Sequence, residues 1–414
     1  MSSQERGQEG PASAEKEHGA LAGVTVIELA EGVAGPFCGR MLAAFGAEVI
    51  KVERPPGGDW ARHTAPLLPD VPEPESSSLF LYLNSGKKSI ELDWQTAEGR
   101  TLLEGLLREA DVVVEDTRPG TLEGLGLGFD RLHSANPRLV VASVSDFGDT
   151  GPYSSWTSTP LVNLALGGFL YLSGDEDGEP LMLPGFQADY LAGLQVYFGV
   201  AMALWSRGET GEGQRVQVAA MESLGVLHQF TTVMETYGGL VRRRYGNRFE
   251  GSADYGSYPI VMLPCKDGYV SFCAPMEHQW ERLCLMIDRA DLLERTEFAT
   301  SSDRRSRADE IDEILTRWLK DKTKAEVFSL AAGTYSVPAA PAYDLSAVMS
   351  DAQYRERGLW ATHEHPVAGQ ITHPTVPFTM SETGPSFGRA PTLGEHNAEI
   401  LGARLSPSDS DDLG

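Results

Sequence analysis

Short apolar runs alternate with amphipathic stretches over the first third of the chain. The runs have the length and composition of buried β-strands, and they read VTVIEL, AEVIKVE, KSIELD, DVVVED and RLVVASVSDF. Between them lie stretches with helical periodicity, FCGRMLAAFG, AEGRTLLEGLLREA and FDRLHSAN. Strand, helix and strand in succession form a βαβ unit, whose two strands run parallel. The repeated alternation predicts a doubly wound, Rossmann-like α/β sheet.

The pattern changes in the second half of the chain. A long apolar helix follows Asp189 through YLAGLQVYFGVAMALWSR, and farther on SYPIVML, CKDG and YVSFCA predict a β-hairpin with Asp267-Gly268 in the turn. We therefore expect a large Rossmann-like domain, a smaller α+β domain, a C-terminal segment that returns to the large domain, and two disordered tails. The large domain is expected at 21–225, the small domain at 235–335, the C-terminal segment at 340–404, and the disordered tails at 1–20 and 405–414.

The composition is that of a globular protein with a strongly acidic balance. Of 414 residues, 41% are hydrophobic and 22% are charged, and the formal net charge is −25. Such a charge repels nucleic acid and anionic membrane surfaces, so neither is expected as a partner. The N-terminal residues lack the apolar core of a secretory signal, and no apolar stretch is long enough to span a membrane. We expect a cytoplasmic protein.

Cysteine and histidine spacing gives no metal signature. The four cysteines contain no C-x-x-C pair and are expected to be reduced thiols. His363, His365 and His373 lie close together, but no helical spacing or nearby carboxylate completes a ligand set. We therefore expect no metal site.

Several basic residues lie next to predicted strands. Ligands of open α/β sheets bind at the carboxyl ends of the strands, so Arg54 and Arg118 occupy positions suited to a phosphate. For Arg54, a solvated surface charge is the alternative. Lys87 and Lys88 precede the third strand and are either ordinary loop charges or anion contacts. The loop EGVAGP after the first strand opens a helix and can receive a phosphate, although simple turn chemistry also explains its glycines.

Asp189 precedes the long apolar helix in LPGFQADYLAGLQVYFG. An aspartate in this place is most often the N-cap of the helix. A carboxylate at a helix N-terminus also stays ionised and is suited to nucleophilic attack. The two roles are compatible, and the pattern alone does not decide between them.

Five separated blocks carry a more specific signal. They read VTVIELAEGVAGPFCGRMLAAFGAEVIKVERPPGGDWAR, LNSGKKSIELDWQTAEGR, DVVVEDTRPGTLEGLGLGFDRLHSANPRLVVASVSDFGDTGP, LPGFQADYLAGLQVYFGVAMALWSRGETGEGQRVQVAAMES and APTLGEHNAEILG. Together these blocks resemble the class III CoA-transferase (CaiB/BaiF) family, which also contains formyl-CoA and carnitine CoA-transferases and α-methylacyl-CoA racemases. The resemblance extends over roughly residues 21–403 in the family's order and spacing.

The resemblance implies an interlocked, ring-like homodimer with CoA bound to the large domain and an active site between the large and small domains. It implies an acyl-CoA and a carboxylic acid as substrates, with no tightly bound cofactor. Asp189 matches the family's nucleophile. The family's CoA contacts fall on Val33, Ala34, Arg54, Leu92, Asp93, Trp94, Gln95, Asp116, Thr117 and Arg118.

On this resemblance the Asp189 carboxylate attacks a donor thioester and forms a mixed anhydride. CoA then converts the anhydride to an aspartyl-CoA thioester, which the acceptor acid attacks. Racemases of the family carry a His-Asp pair where this chain has Thr159-Pro160, so proton transfer at an α-carbon lacks one base. An acyl-CoA racemase or epimerase and a catalytically silent CoA-binding homologue are the alternatives.

Three departures from the family pattern bear on which acid the enzyme uses. This chain has Val33 where formyl-CoA transferases often have a glutamine, and Gln95 where the family has a lysine near the adenine site. The glycine-rich loop of the formyl-CoA enzymes is missing between Gly246 and Gly256. These departures argue against formyl-CoA and oxalate and favour a larger or more apolar acid.

Overall fold

The computed structural model of the protein describes residues 19–249 and 256–402. The predicted tails, 1–20 and 405–414, lie outside these residues apart from positions 19 and 20, and most of the segment compared with the formyl-CoA loop lies outside them too. The described residues form two compact units. The large unit contains the described parts of 1–163, 184–224 and 355–414, and the small unit contains those of 164–183 and 225–354.

The strands and helices of these residues follow in chain order. The strands are β1 (Thr25–Glu28), β2 (Glu48–Glu53), β3 (Lys88–Glu91), β4 (Val112–Glu115), β5 (Val140–Ser145), β6 (Arg215–Ala219), β7 (Ile260–Cys265), β8 (Gly268–Cys273), β9 (Ala339–Pro341), β10 (Trp360–His365) and β11 (Gly369–Pro374). The α-helices are α1 (Ala34–Ala44), α2 (Ser78–Leu83), α3 (Ala97–Glu109), α4 (Thr121–Gly124), α5 (Phe129–Ala135), α6 (Pro160–Leu166), α7 (Phe169–Leu172), α8 (Gln187–Thr210), α9 (Ala220–Gly225), α10 (Gln229–Gly238), α11 (Glu277–Met286), α12 (Ser301–Ser306), α13 (Ala308–Leu319), α14 (Lys324–Phe328), α15 (Leu345–Ser350), α16 (Ala352–Glu356) and α17 (Asn397–Ile400). Shorter 3₁₀ helices (Trp60–His63, Ala290–Glu294 and Thr296–Phe298) and a π-helical segment (Ser329–Tyr335) lie between them.

The large unit is built on one six-stranded sheet in the order β3-β2-β1-β4-β5-β6. All neighbouring strands are parallel, and Ile27 at the centre pairs with Ile50 on one side and Val113 on the other. The predicted parallel α/β sheet is therefore confirmed. The strand order reverses between β1 and β4, which is where open sheets of this kind bind ligands.

Helices cover both faces of this sheet. Alternate strand residues face opposite sides, so Ile27 packs in a cluster with leucines of α3 and α5, whereas its neighbour Val26 packs with residues of α1 and α8. Strands that are buried on both faces have continuous apolar sequences, which explains why these strands could be predicted from the sequence.

The small unit contains an antiparallel sheet in the order β7-β8-β9. Its core includes strand residues such as Val270 and Phe272 together with apolar side chains of α11 and α13. The hairpin turn predicted at Asp267-Gly268 is wrong by one residue. Gly268 pairs with Cys265 and begins β8, so Lys266 and Asp267 form the turn. The Asp267 carboxylate accepts a hydrogen bond from the Lys324 N–H at 2.7 Å, which ties this turn to α14.

The C-terminal part of the large unit covers the edge strand β3. The N–H of His396 donates to the Ser89 carbonyl at 2.9 Å, and Ser89 N–H donates back to His396 Nδ1 at 3.2 Å. Glu91 N–H donates to Asn397 Oδ1 at 2.8 Å. These bonds satisfy backbone groups that an open sheet edge would expose.

None of the helices in residues 19–249 and 256–402 combines the length and the apolar character needed to cross a membrane. Over the same residues, no three side chains of His, Cys, Asp or Glu are grouped so as to hold a metal ion.

Candidate active site at the carboxyl edge of the sheet

A cavity of about 320 Å³ opens within the large unit at the carboxyl edge of its sheet. Residues at the ends of β1, β4, β5 and β6 form its wall, together with the first turns of α1 and α8. This is the edge where parallel α/β sheets bind their ligands. The cavity is acidic: the described residues that line it include Glu31, Asp116, Asp146 and Asp189 but no lysine or arginine.

The loop between β1 and α1 is fixed by contacts to its backbone. Gly32 has a φ of +76°, and a Cβ at this position would overlap the ring of Trp60, so only glycine fits. Its N–H donates to Asp59 Oδ1 at 2.8 Å. The N–H of Glu31 donates to the Asp116 carboxyl group at 3.0 Å. The cap residue of α1, Val33, makes no side-chain hydrogen bond to the helix; since Pro36 has no N–H and the Phe37 N–H donates to the Val33 carbonyl, the N–H groups of Ala34 and Gly35 are left for another acceptor.

A buried network of charged side chains (Glu28, Lys51, Asp59 and Lys87) supports this loop. Lys51 Nζ lies 3.1 Å from Glu28 Oε1 and 2.7 Å from Asp59 Oδ2, and it donates to the Ala30 carbonyl at 2.8 Å. Burial opposes the charge of Lys51, but Asp59 and Glu28 outweigh it and raise the lysine pKa. The ammonium group therefore stays charged and joins the loop to the sheet.

Lys87 completes the network and is not an anion contact. Its Nζ donates to Glu28 Oε2 and to the Pro36 carbonyl, both at 2.8 Å. Burial lowers the pKa of Lys87 to about 8, and Glu28 opposes that effect. Lys88 is also occupied, since its Nζ contacts Glu48 and Glu399 at 2.5 Å each. The alternative of anion binding by these two lysines is therefore not supported, because each ammonium group already has carboxylate partners.

Asp189 is the third residue of α8 and does not cap it. The helix begins at Gln187, and Phe186 occupies the cap position without a side-chain bond. Helical bonding is already established at this point, since Tyr190 N–H donates to the Phe186 carbonyl at 2.9 Å. The interpretation of Asp189 as an N-cap is wrong for this reason.

The Asp189 carboxyl group is half-buried in the cavity wall. Its Oδ2 atom is buried and has no hydrogen-bond partner among the described residues. Burial raises the pKa of Asp189 to about 6; its own backbone N–H opposes this rise and Asp146 adds to it. At neutral pH the group is therefore a poorly solvated carboxylate, which is more reactive towards an electrophile than a fully hydrated one.

Gly193 brings α8 close to α1 one turn after Asp189. A Cβ on Gly193 would lie within 3.0 Å of the Ala34 carbonyl oxygen and 3.2 Å from Phe37 Cβ. The rings of Phe37 and Tyr190 meet edge to face with centroids 5.1 Å apart. This close packing brings the first turns of both helices to one cavity wall.

Asp146 follows β5 in the same way that Asp116 follows β4. Its carboxylate accepts hydrogen bonds from Ser158 N–H at 3.1 Å and from Asn163 Nδ2 at 3.0 Å. The pKa of Asp116 is raised well above its ordinary value, chiefly by burial, with the Glu31 N–H opposing the rise. Burial therefore disfavours the charged form of Asp116, whose carboxyl group fixes the loop after β1 by accepting from the Glu31 N–H.

The predicted stretch 92–95 follows β3 and forms a turn into α3. Leu92 and Trp94 are buried, with 6% and 4% of their surface exposed. Gln95 is exposed, and its N–H donates to Asp93 Oδ1 at 3.1 Å. The apolar members of this stretch contribute packing, and the polar ones face solvent.

The predicted basic contacts lie at the same edge. Arg54 is partly exposed, contacts Glu31 Oε1 at 3.2 Å and lies 5.7 Å from the centre of the Trp94 ring. Arg118 is exposed after β4, beside Thr117, whose N–H and hydroxyl donate to the Glu115 carboxylate at 2.8 and 2.6 Å. Burial raises the pKa of Glu115 to about 7.

Four of the predicted site residues line the cavity, namely Val33, Ala34, Asp116 and Asp189. The others, Arg54, Leu92, Asp93, Trp94, Gln95, Thr117 and Arg118, lie at the carboxyl edge but outside the cavity wall. Sequence reasoning missed Asp146, Trp60 and Phe186. Asp116 is expected only from the family resemblance, but its place directly after a buried strand is a signal that it shares with Asp146.

The strand order and the cavity at the switch point place the protein among the Rossmann-like α/β enzymes. The family model for CoA-transferase family III matches residues 21–397, and the chain belongs to this family. Its class of reaction is therefore CoA transfer, EC 2.8.3.-.

Relatives with assigned activities extend over most of the chain. It is 34% identical over 389 residues to the succinyl-CoA:mesaconate CoA-transferase of Haloarcula hispanica, covering 92% of this chain and 96% of the relative. It is 31% identical over 384 residues to the succinate–glutarate CoA-transferase of Agrobacterium fabrum, covering 92% and 94%. A formyl-CoA:oxalate CoA-transferase of Escherichia coli O157:H7 is 31% identical over 405 residues, covering 92% and 94%.

Two solved structures also match this chain over most of its length. A CaiB/BaiF family protein from Brucella suis matches with a TM-score of 0.83 and 30% identity, covering 93% of this chain and 99% of that protein. A Mycobacterium tuberculosis protein matches with a TM-score of 0.80 and 31% identity, covering 93% and 99%.

Proposed function

We propose that this enzyme moves CoA from an acyl-CoA to a carboxylic acid through covalent intermediates on Asp189. The observation that carries this proposal is the buried, unpartnered Oδ2 of Asp189 in a cavity at the carboxyl edge of the sheet. A carboxylate oxygen without a hydrogen bond retains its electron pairs for attack. Ordinary structural aspartates use those pairs to accept hydrogen bonds.

The reaction proceeds in two symmetrical halves. An Asp189 oxygen adds to the thioester carbonyl carbon, the C–S bond breaks, and the CoA thiolate leaves a mixed anhydride. The thiolate adds to the aspartyl carbonyl of the anhydride, the donor acid departs as its carboxylate, and an aspartyl-CoA thioester remains. The acceptor carboxylate then attacks this thioester, and the same steps run in reverse to give the new acyl-CoA and free Asp189.

Each addition generates a tetrahedral oxyanion that needs hydrogen-bond donors. The helices α1 and α8 both lack side-chain caps, and the first turns of both line the cavity. Their N–H groups and helix dipoles favour negative charge at this position. The fixed loop after β1 positions the α1 donors before substrate binds.

The CoA moiety is assigned to the remaining predicted positions at the same edge. Arg118 supplies exposed positive charge for its phosphates; Arg54 is paired with Glu31, but 41% of its side chain is exposed, which leaves part of its guanidinium group for a second anion. Gln95, Asp93 and Thr117 supply polar contacts. Leu92 and Trp94 act as packing beneath Arg54 because they are buried. Val33 and Ala34 contribute backbone at the thioester end, and Asp116 supports their loop.

The proposed assembly is an interlocked homodimer. The outer face of α8 carries three apolar side chains at helical spacing, Phe198, Met202 and Trp205, which are 49%, 67% and 80% exposed. An apolar stripe of this size on a soluble protein is typical of a protein interface. Light scattering on the purified protein should give twice the chain mass, and a strictly monomeric, active enzyme would contradict the dimer.

Isotope exchange tests the mechanism without knowledge of the natural substrate pair. Each acyl-CoA of a panel is incubated with its own labelled acid, and label entering the thioester is measured. Asp189→Asn should lose exchange entirely while still binding CoA, whereas Asp130→Asn, at an exposed position on α5, should behave as wild type. Full exchange by Asp189→Asn would overturn the assignment. Deuterium uptake at the α-carbon without any exchange would favour a racemase.

A further inference from the structure

Asp146 is the charged group that remains in the cavity during the second half of the proposed reaction. Asp189 loses its negative charge when it becomes an anhydride or a thioester. Burial raises the pKa of Asp116 and so disfavours its charge, and Glu31 is paired with Arg54 at 3.2 Å. Among the described residues, no lysine or arginine lines the cavity. The acyl group on Asp189 and the incoming acid therefore meet the Asp146 carboxylate, with no opposing cation from the described residues in the cavity wall.

The position of Asp146 is fixed by the surrounding structure. Its two carboxylate oxygens accept hydrogen bonds from Ser158 N–H and Asn163 Nδ2, and Ser158 Oγ donates in turn to Asn163 Oδ1 at 2.7 Å. Asn163 is only 1% exposed. The backbone carbonyl of Asp146 also accepts from Met221 N–H at 3.1 Å, which ties it to α9. Because each of these donors is fixed, the carboxylate cannot move away from a substrate.

We infer that Asp146 is a specificity-determining residue that selects acids whose chain carries no second negative charge. This inference rests on the proposed reaction at Asp189. A second carboxylate on the acyl chain would lie close to Asp146 in a partly dehydrated cavity, where like charges repel several-fold more strongly than in water. An uncharged chain meets no such repulsion, and a chain with a cationic group would be attracted.

This selection separates the chain from the relatives described above. Their names specify succinate, glutarate, mesaconate and oxalate, which carry two carboxyl groups, and in one case formyl-CoA, whose acid carries one. The chemical class expected here is a monocarboxylic acid with an apolar or cationic substituent. Family membership alone therefore does not transfer the dicarboxylate preference to this enzyme.

The test compares isotope exchange in two matched systems, labelled butyrate with butyryl-CoA and labelled succinate with succinyl-CoA. Wild-type enzyme should favour the butyryl system in kcat/KM by at least about tenfold. Asp146→Asn, which keeps the shape of the side chain, should reduce that preference by about tenfold through faster succinyl exchange. Asp146→Ser provides a second neutral variant in case the amide disturbs the contact to Asn163. Asp130→Asn is the exposed control and should leave the preference unchanged.

Each outcome is decisive. An unchanged preference in both neutral variants, or a wild-type preference for succinyl exchange, would overturn the role of Asp146 and leave the Asp189 mechanism intact. Absence of exchange in wild type with every acyl-CoA tested would instead refute the proposed function itself. A wild-type preference that weakens as ionic strength rises would support charge repulsion over shape selection.

Discussion

Replacing Gly193 by alanine tests whether close packing of α8 on α1 positions Asp189. The added Cβ would lie within 3.0 Å of the Ala34 carbonyl oxygen, with the carbonyl carbon at 3.2 Å. Both are backbone atoms, so no side-chain rotation can relieve the overlap. The helices must separate by several tenths of an ångström to about 1 Å, and such overpacking costs about 1–3 kcal/mol of folding stability.

The kinetic effect should be larger than this loss of stability implies. Asp189 lies one helical turn before Gly193, and Ala34 begins the helix whose N–H groups are proposed to stabilise the oxyanion. A displacement of about 1 Å between nucleophile and donors costs about 100-fold in rate. We therefore expect kcat for isotope exchange to fall by about 100-fold in folded Gly193→Ala.

Gly208 provides the matched control on the same helix. A Cβ at Gly208 meets no atom within 4 Å. Alanine has the higher helix propensity, so Gly208→Ala should stabilise the protein by about 0.5–1 kcal/mol and leave kcat unchanged. Urea unfolding and exchange kinetics on both variants provide the comparison. Wild-type kcat in Gly193→Ala, or equal losses in the two variants, would refute the positioning argument.

Three further outcomes follow from the buried charges. The rate of exchange should rise with pH through an apparent pKa of about 6, because Asp189 must lose its proton to react; a profile flat down to pH 5 would contradict this. Asp189→Asn should raise the free energy of unfolding at pH 7 by about 1–3 kcal/mol, since the fold favours the neutral carboxyl. The neutral carboxyl group of Asp189 stabilises the native protein relative to the charged one. This stabilisation is fully present below pH about 4 and is lost as pH rises through about 6, so the free energies of unfolding of wild type and variant should converge in acid urea titrations. Lys51→Met should cost about 3–5 kcal/mol by leaving Asp59 buried without its cation and Glu28 with Lys87 alone, and a loss below about 1 kcal/mol would show that the network is not supporting the loop.

The strands of the large unit were predictable because burial on both faces makes their sequences uniformly apolar. The parallel order predicted Arg54 and Arg118 at the carboxyl edge of the sheet, and in the structure both follow strands at that edge. The same rule would have found Asp146, which ends up in the cavity for the same reason as Asp116.

Contacts between distant segments were not predictable. Lys87 and Lys88 have the exposed sequence context of loop lysines, yet Lys87 is buried against Glu28, which lies 59 positions earlier in the chain. Likewise, the sequence around Asp189 looks like a helix cap because an aspartate at a helix start is favourable either as the cap or within the first turn. Only the backbone geometry shows that α8 begins two residues earlier.

The most direct test of the account is mass spectrometry of the enzyme after incubation with an acyl-CoA panel and trapping with hydroxylamine or borohydride. Covalent catalysis at Asp189 predicts a modification on the peptide that contains this residue, with the donor identified by the acyl-CoA that produces it. Exchange-competent enzyme that shows no adduct at Asp189, or that carries the adduct at another carboxylate such as Asp146, would contradict it.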